Sequence, residues 1–119
     1  LGEAPYLLIL GIDQGIDQVA GFVHSIGGLF VPAHIERPRN SLMSQLGFVP
    51  PGLPADALEL SRFSNPVDFC SKNTYLKKYT IIQSSDAHFP GDIGLVSTTF
   101  LMEKPGFEDL KSTLIIPHE

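Results

Sequence analysis

The chain has 119 residues, of which 43% are hydrophobic and 18% are charged, so the composition predicts one globular domain rather than a disordered chain. Its formal net charge of −5 argues against a broad electrostatic surface for nucleic acid, although a site made locally positive by bound metal is compatible with that charge. The single cysteine, Cys70, excludes an internal disulfide and favours a reducing, cytoplasmic compartment, and no apolar run is long enough to cross a membrane.

The first third of the chain predicts a strand, a helix and a second strand. Residues 6–10 form a short apolar run that is typical of a buried strand. Asp13 is the expected N-cap of a helix, because apolar residues recur after it at helical spacing as far as residue 26. Gly27-Gly28 ends this helix, and residues 29–33 are nearly all apolar, as expected for a parallel strand covered on both faces.

The middle of the chain is less regular. Asn40 or Ser41 is predicted to cap a short helix that runs to Leu46 and ends at Gly47. Residues 49–54 contain three prolines and are therefore expected to be irregular. Residues 57–60 predict another short strand, which includes Glu59.

The last part again alternates strands with helices. Pro66 is expected at the first position of a helix that extends to Asn73, and residues 79–83 predict the next strand. Residues 97–102 form a further β-like run, and Pro105 is expected to start a helix. This alternation predicts an α/β fold with a mainly parallel sheet and flanking helices.

Candidate metal ligands follow two of the predicted strands. Asp86 and His88 come after residues 79–83, and side chains two residues apart point the same way on an extended backbone. A carboxylate and an imidazole so placed form a compact pair of ligands for a divalent metal. His34 lies just past residues 29–33, and α/β folds gather their chemistry at the carboxyl ends of such strands.

Each of these residues also has a simpler interpretation. Asp and Ser often cap turns after strands, so the stretch from Ser84 to His88 taken alone fits a turn about equally well. Arg37 and Arg39 follow His34 closely and could hold a substrate phosphate through their guanidinium groups. Solvated loop charges are the alternative for both arginines.

Four motifs together resemble those of the PHP family, which is named for polymerase and histidinol phosphatase. They are Gly27-Gly28, Pro32-Ala33-His34, Ser84-Ser85-Asp86-Ala87-His88 and Asp92-Ile93-Gly94. The resemblance implies the later part of a distorted (β/α)7 barrel with metal ions at the carboxyl ends of its strands. It also implies that residues 1–119 form one partial domain, the carboxyl-terminal portion of a longer parent protein.

The resemblance implies that His34, Asp86 and His88 match metal ligands, with Asp86 also acting in catalysis. The position of Arg37 and Arg39 after His34 predicts that both bind substrate and that Arg37 also acts in catalysis by neutralising substrate charge. The cofactors would be divalent metal ions, with Zn, Mn, Mg and Fe left open. The chain has no His-x-His pair, which such families use to open their metal site, so the site in this chain is expected to be incomplete.

Two classes of function are open at this point. The resemblance implies a metal-dependent phosphoesterase that hydrolyses phosphate mono- or diesters, with a phosphorylated small molecule or a nucleic acid as substrate. The alternative is a non-catalytic α/β module that serves in binding or assembly. In either case the isolated chain is expected to be inactive, and its open sheet edges favour self-association, with no membrane partner.

Overall fold

The structure, a computed structural model, describes residues 11–115. Within this range the chain forms four α-helices and two strands, joined by loops and two short 3₁₀ turns. In chain order they are α1 (Ile16–Ser25), α2 (Leu42–Leu46), β1 (Leu58–Leu60), α3 (Pro66–Lys72), β2 (Ile81–Gln83) and α4 (Phe107–Leu114). The 3₁₀ turns are Thr74–Leu76 and Pro90–Asp92. The predicted strand over residues 6–10 lies outside the described residues.

The two strands pair in parallel, with Glu59 opposite Ile82 in the register. Parallel neighbours need a crossover connection, and here α3 and the following 3₁₀ turn lie between β1 and β2 in the chain. The α/β class and the parallel pairing are therefore confirmed for the described residues.

Residues 29–33 were predicted to form a regular strand, and this prediction is wrong in one respect. The segment does run parallel to β1, because Pro32 O accepts from Glu59 N at 3.1 Å and Ile35 N donates to Glu59 O at 2.9 Å. However, Pro32 has no N–H to donate, and His34 has a φ of +34°, which lies outside extended geometry. The segment consequently accompanies β1 without forming a ladder.

The ends of the first two helices show which local signals are reliable. Asp13 does not cap α1, because the helix begins at Ile16 and its N-cap is Gly15. Ser41 caps α2 as predicted, since its Oγ accepts a hydrogen bond from Ser44 N at 3.0 Å. Gly47 ends α2 with a φ of +80°, the left-handed geometry that favours glycine.

Asn65 caps α3 and Pro66 is its first residue, which confirms that prediction. The helix near the carboxyl end begins at Phe107, and Gly106 is its N-cap. Pro105 therefore precedes the cap instead of occupying the first helical position.

Residues 97–102 do not form the predicted strand. Residues 96 and 98 instead attach to the chain at the end of β2 through side-chain hydroxyls, without a backbone ladder. Thr98 Oγ1 accepts from Gln83 N and donates to Gln83 O, both at 2.8 Å. Ser85 Oγ likewise donates to Val96 O at 3.0 Å and accepts from Val96 N at 3.2 Å. Side-chain hydroxyls therefore make the hydrogen bonds to backbone groups that a neighbouring strand would otherwise make.

The core lies on one face of the strand pair. Its buried residues are Ile35, Val49, Leu53, Leu58, Leu60, Leu76 and Tyr79. Side chains alternate along a strand, so burial of Leu58 and Leu60 turns Glu59 to the opposite face. On this face Glu59 lies near polar residues that follow the strands, such as Ser84. No helix within residues 11–115 is both long and apolar enough to cross a membrane.

Candidate active site at the strand ends

Three segments end at the same edge of the fold. Ser61 and Arg62 directly follow β1, and Ser84 directly follows β2. The segment that accompanies β1 in parallel ends at His34, and residues 34–37 continue as a loop. Because the strands are parallel, their carboxyl ends bring these polar residues to one edge.

An ion pair joins the loop over residues 34–37 to the stretch that follows β2. Arg37 Nη1 lies 3.1 Å from Asp86 Oδ2, and the side chains are 43% and 39% exposed. Both residues were predicted to belong to the site, and the structure brings them into contact. An ion pair that is this accessible can open to admit a substrate or a cation at little cost.

Glu59, in the middle of β1, connects the segment that ends at His34 to the residues that follow β2. Its Oε2 accepts a hydrogen bond from His34 N at 3.2 Å, and its Oε1 accepts one from the Ser84 hydroxyl. The sequence pattern did not place Glu59 among the site residues. Here Glu59 fixes the relative position of two loops that carry candidate ligands.

Glu36 ties the same loop to the residues after β1. Its carboxylate accepts hydrogen bonds from Ser61 N at 2.9 Å and from the Ser64 hydroxyl. Burial alone would raise the pKa of Glu36, but the hydrogen bonds from Ser64 and Ser61 outweigh burial and hold this pKa below its usual value of 4.5. The sequence analysis did not identify this role of Glu36. The one feature of the sequence that pointed to Glu36 was its position next to Arg37.

The two candidate histidines differ in their surroundings. His88 Nδ1 lies 2.8 Å from the carbonyl oxygen of Asp86, so Nδ1 donates and Nε2 carries the lone pair of the neutral ring. His34 Nδ1 is buried and has no hydrogen-bond partner among the residues that the structure describes. An unpartnered buried ring nitrogen is costly, which makes His34 a candidate for a ligand or substrate contact.

Backbone strain coincides with the candidate ligands. His34 and Asp86 have positive φ values of +34° and +47°, and Asn40 is the third non-glycine residue with positive φ in the described range. This region is unfavourable for a residue with a Cβ, and such strain is found preferentially at functional sites. His34 and Asp86 thus share an uncommon backbone geometry, although His and Asp adopt it more readily than most residues.

The predicted metal ligands supply suitable atom types but do not form a closed set. Among residues 11–115 no group of three or more His, Cys, Asp and Glu side chains is arranged to hold one metal ion. Asp86 Oδ2 is also occupied by Arg37. His34, Asp86 and His88 could therefore hold a metal only together with further ligands or after rearrangement, and their ligand roles stay predictions.

A small cleft of about 120 Å³ opens beside the ion pair. It is lined by Arg37, Ser61, Arg62, Phe63, Asp86 and His88. Of the residues predicted from the sequence, His34 and Arg39 do not line this cleft, and Arg39 is exposed. Arg62 was missed, although its position directly after β1 follows the same rule that identified Asp86.

Comparisons with known proteins relate the chain to a protein that is described only as uncharacterized. No family model matches the chain, and no solved structure matches it. The chain is 34% identical over 97 residues to uncharacterized protein YqxK of Bacillus subtilis (strain 168). That match covers 77% of this chain and 25% of YqxK, so the chain spans about a quarter of the length of this curated relative.

Proposed function

We propose that the chain is the carboxyl-terminal portion of a metal-dependent phosphoesterase that resembles the PHP family. The observation that carries the proposal is the ion pair between Arg37 and Asp86 at the carboxyl edge of two parallel strands. The adjoining cleft adds a second guanidinium, from Arg62, and an imidazole, from His88. Guanidinium groups facing one small cleft are suited to a phosphoryl group, the shared part of phosphate mono- and diesters.

Each residue then has a defined task. Arg37 and Arg62 neutralise and orient the phosphoryl oxygens, because a guanidinium presents several N–H donors in one plane. Arg39 extends the basic loop toward the remainder of a larger substrate. His88 Nε2 can accept a proton or bind a cation, since its Nδ1 is held by the Asp86 carbonyl.

Divalent ions, when bound, would supply electrostatic stabilisation of the phosphoryl group and an activated water. Asp86 would offer a carboxylate oxygen, and His34 and His88 would each offer a ring nitrogen. The missing ligands would come from an amino-terminal half of the longer protein. The chain alone is therefore proposed to be a weak metal binder and a very poor catalyst, acting in the cytoplasm as the single Cys70 suggests.

The test is hydrolysis of bis(4-nitrophenyl) phosphate with added Mn²⁺ or Zn²⁺. It compares this chain, the longer protein, and the longer protein carrying Asp86→Ala, His34→Ala or, as a matched control, Asp17→Ala in α1. Turnover by the longer protein that is lost with Asp86→Ala and His34→Ala but kept with Asp17→Ala supports the proposal. Strong turnover by this chain alone would show that its metal site is complete.

A non-catalytic binding or assembly module is the second candidate. The observation in its favour is that residues 11–115 contain no arranged three-ligand group, while Arg37 already engages the Asp86 carboxylate. Large apolar side chains on the surface, such as Leu101 at 92% exposed, would suit self-association or assembly with a partner. Inactivity of the longer protein with every metal tested would favour this candidate.

A further inference from the structure

Phe63 has an unusual position for a large apolar side chain. It lies three residues after the end of β1, lines the cleft beside Arg37 and Asp86, and is 84% exposed. Single exposed apolar residues are common on protein surfaces, so exposure alone says little. The relevant feature is that this ring stands at the rim of a cleft that carries two guanidinium groups.

Arg62 holds one side of the Phe63 ring. Its guanidinium carbon lies 4.9 Å from the ring centroid, which is within the range of a cation–π contact. Because the side chain is 84% exposed, this contact leaves most of the ring accessible to solvent. A flat apolar surface of this kind is available for stacking by another planar group.

Arg62 also has hydrogen-bonding capacity to spare. A guanidinium carries five N–H donors, and the ion pair of Arg62 within the described residues is a 3.5 Å contact between its Nη1 and Asp92 Oδ1. Nη1 is buried and makes no hydrogen bond within residues 11–115, so a phosphate would meet the other N–H groups first or reach Nη1 after a small movement of the side chain. The cleft therefore places anion-binding groups directly beside an accessible aromatic ring.

The dimensions of the cleft limit what it can take. Its volume of about 120 Å³ is several times the roughly 10–15 Å³ that one water molecule requires. A phosphoryl group can occupy such a space, whereas a planar ring attached to that group would have to lie outside it. Phe63 stands at the rim, where an attached ring would emerge.

We propose that Phe63 is a specificity residue that stacks on a planar aromatic group attached to the bound phosphate, as in a nucleoside phosphate. This inference rests on the proposed phosphoesterase function and adds a residue that selects among its phosphoester substrates. In this arrangement Arg62 binds the phosphate and at the same time orients the Phe63 ring. The site consequently favours phosphoesters that carry a planar base over those that carry only a sugar or an alkyl group.

The test measures binding to the full chain by NMR titration, with EDTA present so that no metal contributes. Adenosine 5′-phosphate and ribose 5-phosphate are the two probes, because they share the ribose and the phosphate, and the second carries a hydroxyl in place of the base. The variants are Phe63→Ala, Phe63→Tyr, Arg62→Gln and, as a matched control, Phe22→Ala, which removes a 66% exposed phenylalanine from α1. Amide spectra of every variant establish that the fold is kept.

Phe63→Ala is expected to weaken binding of adenosine 5′-phosphate by about 5- to 100-fold and to leave ribose 5-phosphate unchanged. Phe63→Tyr retains a stacking surface and should bind as the original chain does. Arg62→Gln should weaken both probes by roughly 10-fold or more, since each loses the same charged contact. Phe22→Ala should change neither affinity.

Equal affinities of the original chain for the two probes, an equal loss of both with Phe63→Ala, or no binding of either probe would each overturn the inference. These results are separate from the hydrolysis assay. If the base-dependent loss appears while the longer protein hydrolyses no phosphoester, the stacking role of Phe63 stands and the proposed catalytic function fails. If the longer protein hydrolyses phosphoesters but binding does not depend on Phe63, the proposed catalytic function stands and the stacking role of Phe63 fails.

Discussion

The guanidinium of Arg37 and the carboxylate of Asp86 meet at 3.1 Å, although the two residues are 49 positions apart in the chain. Both side chains remain well exposed, at 43% and 39%. A contact of this kind contributes little to stability, because solvent screens the charges and two side chains lose rotational freedom. Both groups can therefore be replaced with little loss of stability, which makes a test of the proposed binding role practicable.

Replacing Arg37 should separate stability from function. Arg37→Ala is expected to lower the free energy of unfolding by less than about 1 kcal/mol. In the longer protein the same change should reduce phosphoesterase turnover by roughly 10²- to 10³-fold, as losing one group that stabilises developing charge typically does. Urea denaturation and steady-state kinetics measure the two effects, with Lys77→Ala as a surface control. A loss of stability above 2 kcal/mol would indicate a structural role instead.

Removing the carboxylate of Glu59 should loosen the strand ends. Glu59→Ala leaves the partly buried N–H of His34 and the Ser84 hydroxyl without their acceptor. We expect a loss of about 1–3 kcal/mol in the free energy of unfolding, which is the usual cost of an unsatisfied buried donor. Urea denaturation measures it against Glu103→Ala, which changes an exposed residue. Equal midpoints for the two variants would contradict the bridging role.

The hydrogen bonds of Glu36 predict a pH dependence of stability. Its pKa is lower in the folded chain than its usual value of 4.5, so the unfolded chain binds the proton more readily. The contribution of Glu36 is therefore complete above pH 4.5 and is lost as the pH falls through the lowered folded value.

Glu36→Gln should flatten the stability profile in this acidic range, and Ser64→Ala should do so in part, because its hydroxyl donates to the same carboxylate. Denaturant midpoints recorded from neutral pH down to about pH 3 measure the effect. An unchanged slope below pH 4.5 in Glu36→Gln would show that other carboxylates control acid unfolding.

The core beneath the strands should respond strongly to truncation. Leu60 is fully buried, and Leu60→Ala leaves a cavity that should cost about 2–5 kcal/mol. Leu101→Ala makes the same chemical change at a side chain that is 92% exposed and should shift stability by less than about 0.5 kcal/mol. Thermal or urea unfolding compares the two. Similar effects at both positions would mean that β1 does not form the core.

Local signals made some elements predictable from the sequence. Ser41 and Gly47 bound α2 as expected, because an N-cap and a left-handed C-cap depend on residues close in the chain. The prediction of a strand over residues 29–33 was wrong. It relied on apolar composition and gave too little weight to Pro32, which has no N–H for a strand ladder.

The sequence predicted where some candidate residues lie in the fold, but it did not predict which of them make contact. Asp86 lies just after β2, as expected for a polar residue that follows an apolar run, whereas His34 follows a segment that runs beside β1 without forming a strand. The pairing of Asp86 with Arg37 depends on how two distant loops meet, and a single sequence carries no record of that. The exposed position of Phe63 was not predicted for a related reason, because hydrophobic patterns identify core residues and do not distinguish a ring that stays at the surface.

The hydroxyl of Thr98 has a consequence for how the chain behaves in concentrated solution. By accepting from the N–H of Gln83 and donating to its carbonyl, one side chain occupies the two backbone groups through which another strand could pair at that residue. Unpaired strand edges recruit further chains and lead to aggregation. Thr98 thus blocks the pairing of a further strand with the end of β2, although no third strand within residues 11–115 covers that edge.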